Sequence, residues 1–237
     1  MKLLIDIGNT SAKLAIGDGD EIVHFERLSE PWSDAFARLM ADYDIEKCVV
    51  SSVAAPDPDL DAAMDALKLR NGVVRLKYDT PCPVKPIIGV PEGYGTDRLA
   101  ADMGAVMQDA VHTLLIIDAG TCITYDLLSC DGEMLGGVIS AGVQLRLNAM
   151  HEHTALLPQF AAEDDAPVIA MNTKDCMMSG AVNGAKYEME GYVRRIMKDY
   201  PDLRIFVTGG NIYEFADDIK PRITQDPQLV LRGLNIL

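Results

Sequence analysis

Two short segments of the sequence place the same chemistry at the same kind of spot: Asp6-Ile7-Gly8-Asn9-Thr10 and Asp118-Ala119-Gly120-Thr121. In each, a carboxylate closes an aliphatic run (LLIDI, LLIID), a glycine follows two positions on, and a threonine offers a hydroxyl and a backbone N–H. That grouping suits phosphate, because backbone donors can cradle the anion without a lysine and glycine lets the main chain come close. The aspartates themselves repel phosphate, so they must act through Mg²⁺, water or a monovalent cation. One such segment alone is an ordinary turn. Its return in the second half of the chain is what argues for a site. No G-x-x-x-x-G-K-[ST] run occurs anywhere, which sets P-loop chemistry aside.

The elements that must position these residues follow a repeated plan. Residues 2–7 read as a buried strand, 8–10 as a turn, and 12–17 and 21–28 as further strands. A helix over 33–43, a strand over 47–53, a helix over 58–69 and a strand near 73–77 come next. Four prolines in the twelve residues Thr80 to Pro91 exclude a regular element there. A helix then runs from Thr96 to about Ala110. From 114 the plan returns: strands over 114–118, 123–128 and 134–139, helices over 143–152 and 174–198, a strand over 204–208, and a short helix after Gly209-Gly210. The halves share an arrangement rather than extended identity, so the expected organisation is two α/β lobes, 1–110 and 111–237, with a cleft between them.

The whole chain bounds the partners. Lys plus Arg is 21 and Asp plus Glu is 36, giving a formal charge of −15 that argues against a broad nucleic-acid or anionic-membrane surface. The N-terminal apolar run is too short for a signal peptide, and no run approaches a membrane span. Five scattered cysteines, never spaced as a metal pair, read as reduced thiols of a cytoplasmic protein.

A second group of candidates opens the 96–110 helix: Gly95-Thr96-Asp97-Arg98. With Thr96 as N-cap, Asp97 falls in the first turn, where the helix dipole favours an ionised carboxylate. Such a group can orient an acceptor alcohol and take its proton as a bond to phosphorus forms. The plainer reading is an Asp that merely starts a helix. Arg98 is placed to hold a carboxylate or a moving phosphoryl group, with a surface ion pair as the alternative. Thr173 could cap the helix beginning near Lys174, or present its hydroxyl to a ligand. His151 and His153 are two positions apart and share no helix face, so they do not read as metal ligands. Met171, Met177, Met178, Met189 and Met197 read as core. Gly180 and Gly184, four apart on one helix, imply close backbone packing.

Taken in order, DIGNT (6–10), GTDR (95–98), DAGTCITYD (118–126), GEMLGGVISAG (132–142), TALLP (154–158), NTKDCMMSGAVNG (172–184), VTGGN (207–211) and LVLRGLNIL (229–237) resemble the type III pantothenate kinases, within the actin, sugar-kinase and heat-shock ATPase superfamily. The resemblance covers nearly the whole chain. It implies two ribonuclease-H-like lobes, a duplicated actin-like ATPase fold with an interlobe active-site cleft. It also implies ATP-dependent phosphorylation of pantothenate to 4'-phosphopantothenate, the first step of coenzyme A biosynthesis. Asp6, Ile7, Gly8, Asn9, Thr10, Ser11, Ala12 and Lys13 would form the first phosphate loop, and Thr121 would contact ATP. Gly95, Thr96, Asp97 and Arg98 would meet pantothenate, with Asp97 as the base and Thr173 as a further contact. Asp118 would bind K⁺ or NH₄⁺, Mg²⁺ would arrive with ATP, and Thr208-Gly209-Gly210 would lie near the adenosine. A homodimer built largely through the second lobe is also implied, and the Gly180, Gly184 and Gly191 positions of the 174–198 helix are consistent with it.

The chain departs from the family at two places. Ile88 stands where members usually carry a substrate-contacting Tyr, and Ala141 stands for the usual Pro of the GGxIxPG segment. Tyr94, beside the GTDR motif, is a candidate to replace part of the lost contact. These changes leave two alternatives open: a kinase for another small alcohol, or a non-catalytic regulator on the same fold. A regulator should have lost the base or the cation ligand, and Asp97 and Asp118 are both present.

Overall fold

The computed structural model describes residues 1–82, 87–210 and 213–237. In chain order its elements are β1 (Lys2–Ile7), β2 (Ala12–Asp18), β3 (Glu21–Arg27), α1 (Trp32–Asp42), β4 (Lys47–Ser52), α2 (Pro58–Ala66), β5 (Val73–Arg75) and α3 (Thr96–Gln108). They continue with β6 (Leu114–Ala119), β7 (Cys122–Leu128), β8 (Met134–Ala141), α4 (Val143–Glu152), α5 (Thr173–Ile196), β9 (Arg204–Gly209), β10 (Ile223–Gln225) and α6 (Leu229–Asn235). Two compact units result. The first holds Met1–Ala110, Asp131–Met134 and Gln228–Leu237; the second holds Val111–Cys130 and Leu135–Pro227.

Each unit carries a five-stranded sheet, ordered β3-β2-β1-β4-β5 in the first and β8-β7-β6-β9-β10 in the second. The order is the same when the strands are matched one to one. In both, the central strand pairs antiparallel with its hairpin partner and parallel with the strand on its other side. The α/β fold class with a repeated plan, read from the sequence, is the one observed.

In the first unit the period-2 alternation of β1 decides which residues enter which layer. Leu3, Ile5 and Ile7 pack with Leu14, Ile16, Phe36, Leu39, Leu60 and Met64 into a core roofed by α1 and α2. Leu4 and Asp6 therefore point to the opposite face, the side on which α3 and α6 contact the sheet. The α3–α6 contact is backbone on backbone. A Cβ on Gly233 would lie 1.7 Å from the Ala100 carbonyl oxygen, and one on Gly104 would lie 2.3 Å from the Leu229 carbonyl oxygen. This contact is why residues 228–237 belong to the first unit, whereas the sequence division at 110/111 had put them in the second.

In the second unit Leu115, Ile117, Ile123, Tyr125, Ile205 and Val207 face the core made with α4 and α5. Asp118, Thr124 and Thr208 lie on the other face of the same three strands. Between α4 and α5, Arg146 bonds Glu188 (2.6 Å), which also accepts from Tyr125 (2.9 Å) and Ser140 (3.0 Å).

Several expectations need correction. No α-helix forms over 213–228, where a short one was expected after Gly209-Gly210. Asn211 and Ile212 lie outside the described residues, 213–216 are irregular, and only a 3-10 turn forms at Lys220–Arg222. The α6 helix and the short β10 were not anticipated; β10 is too short for periodicity to register. Met171 is fully exposed rather than core, while Met177, Met178 and Met189 are buried. A Cβ on Gly180 or Gly191 would meet nothing, so these glycines mark no close packing within the chain.

Candidate active site

In the first unit, four elements bring the sequence candidates together. Asp6, 5% exposed, sits opposite Lys13 across the β1–β2 hairpin and beside Ser51 on β4. The Lys13 ammonium donates to Asp6 at 3.1 Å. The hairpin is closed by the Gly8 N–H donating to the Ser11 carbonyl at 3.1 Å, which leaves Asn9 and Thr10 exposed. A Cβ on Gly8 would sit at an ordinary 3.6 Å from the nearest atom, so the bare backbone there is not required by the chain's own packing.

The Ser51 hydroxyl donates to the Thr96 hydroxyl at 2.9 Å, tying the end of β4 to the start of α3. Thr96 also donates to the Ser52 carbonyl, at 3.3 Å. Its hydroxyl is thus committed to β4. Gly95 rather than Thr96 is the N-cap, without a side-chain cap bond, and Thr96 is the first helical residue. Asp97 takes over part of the cap's work: its carboxylate accepts from the Arg98 N–H at 2.8 Å. A Cβ on residue 95 would lie 2.6 Å from that same carboxylate oxygen, so glycine here leaves room for the Asp97 side chain to fold back.

Burial pushes the Asp97 carboxyl above its ordinary value, the negative charge of Asp6 pushes it further the same way, and the backbone N–H bonds oppose both. The sequence argument from the helix dipole anticipated only that opposing influence. Arg98 is partly exposed and its guanidinium lies 4.2 Å from the centroid of the Tyr94 ring.

In the second unit the corresponding hairpin is two residues tighter, with Gly120-Thr121 between β6 and β7. Asp118 pairs in register with Thr124 on β7 and with Thr208 on β9. Thr121 is exposed, and the Gly120 N–H donates to the Cys122 carbonyl at 2.9 Å. The turn is enclosed by two glycines from elsewhere. A Cβ on Gly142 would lie 2.2 Å from the Gly120 carbonyl oxygen, and one on Gly209 (φ +113) would lie 2.4 Å from that of Ala119. Both approaches exclude any side chain.

The remaining candidates are placed as follows. Ile88 is 53% exposed and forms a parallel bridge with Glu133, through Ile88 N–H to the Gly132 carbonyl and Met134 N–H to the Ile88 carbonyl, both 2.8 Å. Thr173 is exposed as the first residue of α5, while Asn172 is the cap and accepts from the Asp175 N–H at 2.9 Å. Thr208 is buried on β9, and Gly210 N–H reaches the Ala119 carbonyl at 3.4 Å. Among the described residues no group of three or more His, Cys, Asp or Glu is gathered to hold a metal, His151 and His153 included. Sequence reasoning missed Ser51 and Thr124. Only strand register shows them, because each becomes a neighbour of an aspartate through pairing rather than through spacing.

Comparison with known proteins gives this geometry a family. The family model described as type III pantothenate kinase matches residues 2–195. The type III pantothenate kinase of Phocaeicola vulgatus is 37% identical over 235 residues, covering 99% of this chain and 96% of the relative. That of Christiangramia forsetii is 33% identical over 239 residues, covering 100% and 97%. Among solved structures, a Sinorhizobium meliloti protein assigned as a 2-dehydro-3-deoxygalactonokinase superposes with a TM-score of 0.59 at 14% identity, covering 99% of this chain and 97% of its own. A Campylobacter jejuni protein assigned to the Baf family of transcriptional activators gives 0.55 at 20% identity, covering 98% and 94%. At those identities the structural likeness speaks for the fold alone. The near-full-length sequence matches speak for more: the chain belongs to the type III pantothenate kinase family.

Proposed function

We propose that this chain transfers the γ-phosphoryl group of ATP to the primary hydroxyl of pantothenate, with Asp97 as the base. The observation that carries the reading is a half-buried carboxylate in the first turn of α3, folded back onto the Arg98 N–H, with Asp6 close enough for its charge to act on it. In the proposed step the pantothenate oxygen forms a bond to the γ-phosphorus, and the bond from that phosphorus to the β,γ-bridging oxygen breaks. The hydroxyl proton passes to Asp97, and ADP leaves with the bridging electron pair. Gly95 and Thr96 shape the approach, and Arg98 pairs with the pantothenate carboxylate.

The residues present fit a cation that travels with its substrate. The hard carboxylate of Asp6, with no cluster of three metal-binding side chains among the described residues, suits Mg²⁺, which keeps waters and phosphate oxygens as most of its ligands. Bound there, Mg²⁺ would neutralise charge developing on the phosphate oxygens. The hairpin from Asp6 to Lys13 is assigned to the ATP phosphates, with exposed Asn9 and Thr10 at its tip, and Lys13 offsets the Asp6 charge. In the second unit, Asp118 with the Thr124 and Thr208 hydroxyls on its face is an oxygen set of low charge suited to K⁺ or NH₄⁺. Thr121 is assigned to ATP, Thr208-Gly209-Gly210 to the adenosine, and Thr173 to pantothenate.

A coupled assay of ADP release with and without pantothenate tests the reaction. Release that does not depend on pantothenate would overturn it. The exposed Ile88 favours one second reading, another small primary alcohol as acceptor, which a panel of alcohols in the same assay decides.

The proposal extends to assembly and setting. The exposed Gly180 and Gly191 and the half-exposed Tyr187 on α5 give a face on which a second copy could approach closely, which supports a homodimer through the second unit. A single sedimenting species near the 25.8 kDa chain mass would refute the dimer. No helix among the described residues is long and apolar enough to cross a membrane. The cytoplasm, where ATP is made available, is the proposed setting.

A further inference from the structure

Tyr94 precedes the Gly95 cap of α3, and a turn fixes its backbone, with the Tyr94 N–H donating to the Pro91 carbonyl at 3.1 Å. Its side chain is 9% exposed, so the ring is enclosed rather than presented to solvent. The hydroxyl donates to a carboxylate oxygen of Asp102 at 3.1 Å, and Asp102 is fully buried. A weaker contact, 3.9 Å, runs from the same hydroxyl to the Met134 sulfur. The ring is therefore held at both ends, by the turn at its backbone and by Asp102 at its tip.

Arg98 and Asp102 are four apart on α3 and share a face of the helix. The guanidinium of Arg98 lies over the Tyr94 ring at 4.2 Å from the centroid, a cation–π distance. A planar guanidinium resting on a fixed aromatic face has its N–H fork aimed in a limited set of directions. Two-point pairing with a carboxylate requires such aim. An arginine without that support would have to freeze its rotamers on binding, at a cost in affinity.

We infer that Tyr94, anchored by its hydroxyl to buried Asp102, is a positioning residue that holds the Arg98 guanidinium ready for the acceptor's carboxylate. This rests on the reading of Arg98 as the pantothenate contact. It also changes the sequence expectation for Tyr94. With its ring buried and its hydroxyl engaged by Asp102, Tyr94 acts on substrate through Arg98 rather than as a replacement for the tyrosine missing at Ile88.

The test is a double-mutant cycle on the full chain, read as KM for pantothenate, KM for ATP and kcat. Tyr94→Leu is expected to raise the pantothenate KM by about 3- to 30-fold, the range of a lost cation–π support, with the ATP KM unchanged. In an Arg98→Ala background the same substitution should change it by less than about twofold, because the group it positions is gone. Tyr94→Phe keeps the aromatic face and the volume, and should restore most of the loss, leaving a rise of about two- to fivefold that also vanishes with Arg98→Ala. Should Tyr94→Leu fail to fold, as read by its thermal transition, the Phe variant and its cycle carry the same decision. An unchanged pantothenate KM, or equal factors with and without Arg98, would overturn the role of Tyr94 while leaving the kinase reading standing. A wild-type chain that makes no phosphorylated pantothenate would overturn the kinase reading and this role together.

Discussion

The two hairpins occupy equivalent places in equivalent sheets, yet their aspartates have different neighbours. Asp6 is the fifth residue of β1 and Asp118 the fifth of β6. Across the hairpin Asp6 meets Lys13 where Asp118 meets Thr124, and on the parallel side Asp6 meets Ser51 where Asp118 meets Thr208. The first position is thus a charged cluster, with Asp97 close enough for the charge of Asp6 to act on it. In the second, both in-register neighbours are hydroxyl-bearing. A duplicated backbone has been given two electrostatic characters chiefly by one strand neighbour, Lys13 in the first and Thr124 in the second, since the parallel-side neighbours Ser51 and Thr208 both bear hydroxyls. The proposed roles follow this difference: proton transfer beside a divalent cation at the first, a monovalent cation at the second.

The strongest way to break this contrast is to neutralise each side in turn. Asp97→Asn removes a base without changing size, and turnover should fall by about 10² or more while the fold survives. Turnover within a few-fold of wild type would remove Asp97 from the reaction. Asp118→Asn should cost less, on the order of tenfold, but should abolish the difference between K⁺ and Na⁺ buffers. Equal wild-type rates in Na⁺-only and K⁺ buffers would show that the second hairpin holds no monovalent cation, and the contrast would lose its chemical meaning.

How much of this was legible beforehand follows from what sequence spacing can encode. The strands of both hairpins are local features, set by alternation, and they read correctly; the proline stretch Thr80 to Pro91 falls partly outside the described residues. The repeated plan read correctly for the same reason. What failed depends on distant parts of the chain. Thr96 resembles a cap in sequence, but its hydroxyl is taken by Ser51 and Ser52, forty-odd residues earlier. Glycine on α5 drew attention because helical glycine is costly, while the tight approaches are at Gly104 with Gly233 and at Gly142 and Gly209, against partners remote in sequence. The partial burial of Asp97 was also hidden, since it arises from the surrounding packing.

The same steric facts give a prediction of middle size. The second hairpin's turn is enclosed by Gly142 and Gly209, whereas Gly8 in the first has room for a Cβ. Gly142→Ala should therefore destabilise the protein by about 2 kcal/mol or more, as overpacking does. Gly8→Ala should cost under about 1 kcal/mol in stability and act mainly on the KM for ATP. Thermal or denaturant unfolding of both variants checks this. Equal losses would mean that the two turns are built alike after all.

The smallest effect concerns pH, and it sharpens the contrast from the side of the first cluster. Burial, with the charge of Asp6 added, holds the Asp97 carboxyl above its ordinary 3.8. In its proposed role as base, Asp97 works only when ionised, so kcat/KM should fall as pH drops through this raised value, with the acid limb displaced upward from that of an exposed aspartate. For stability the sign is opposite to that of a salt-bridged carboxylate. A folded-state value above the unfolded one means that the native chain binds the proton more tightly, so stability declines as pH rises from 3.8 through the raised value. At neutral pH the full cost is present, and Asp97→Asn, which cannot ionise, is relieved of it. The Asn variant should melt at or slightly above the wild-type temperature at pH 7, with the gap closing as pH is lowered toward 3.8. A variant that melts clearly below wild type at pH 7 would mean that the Asp97 charge stabilises the fold, and the account of a carboxylate held ready by burial beside Asp6 would be wrong.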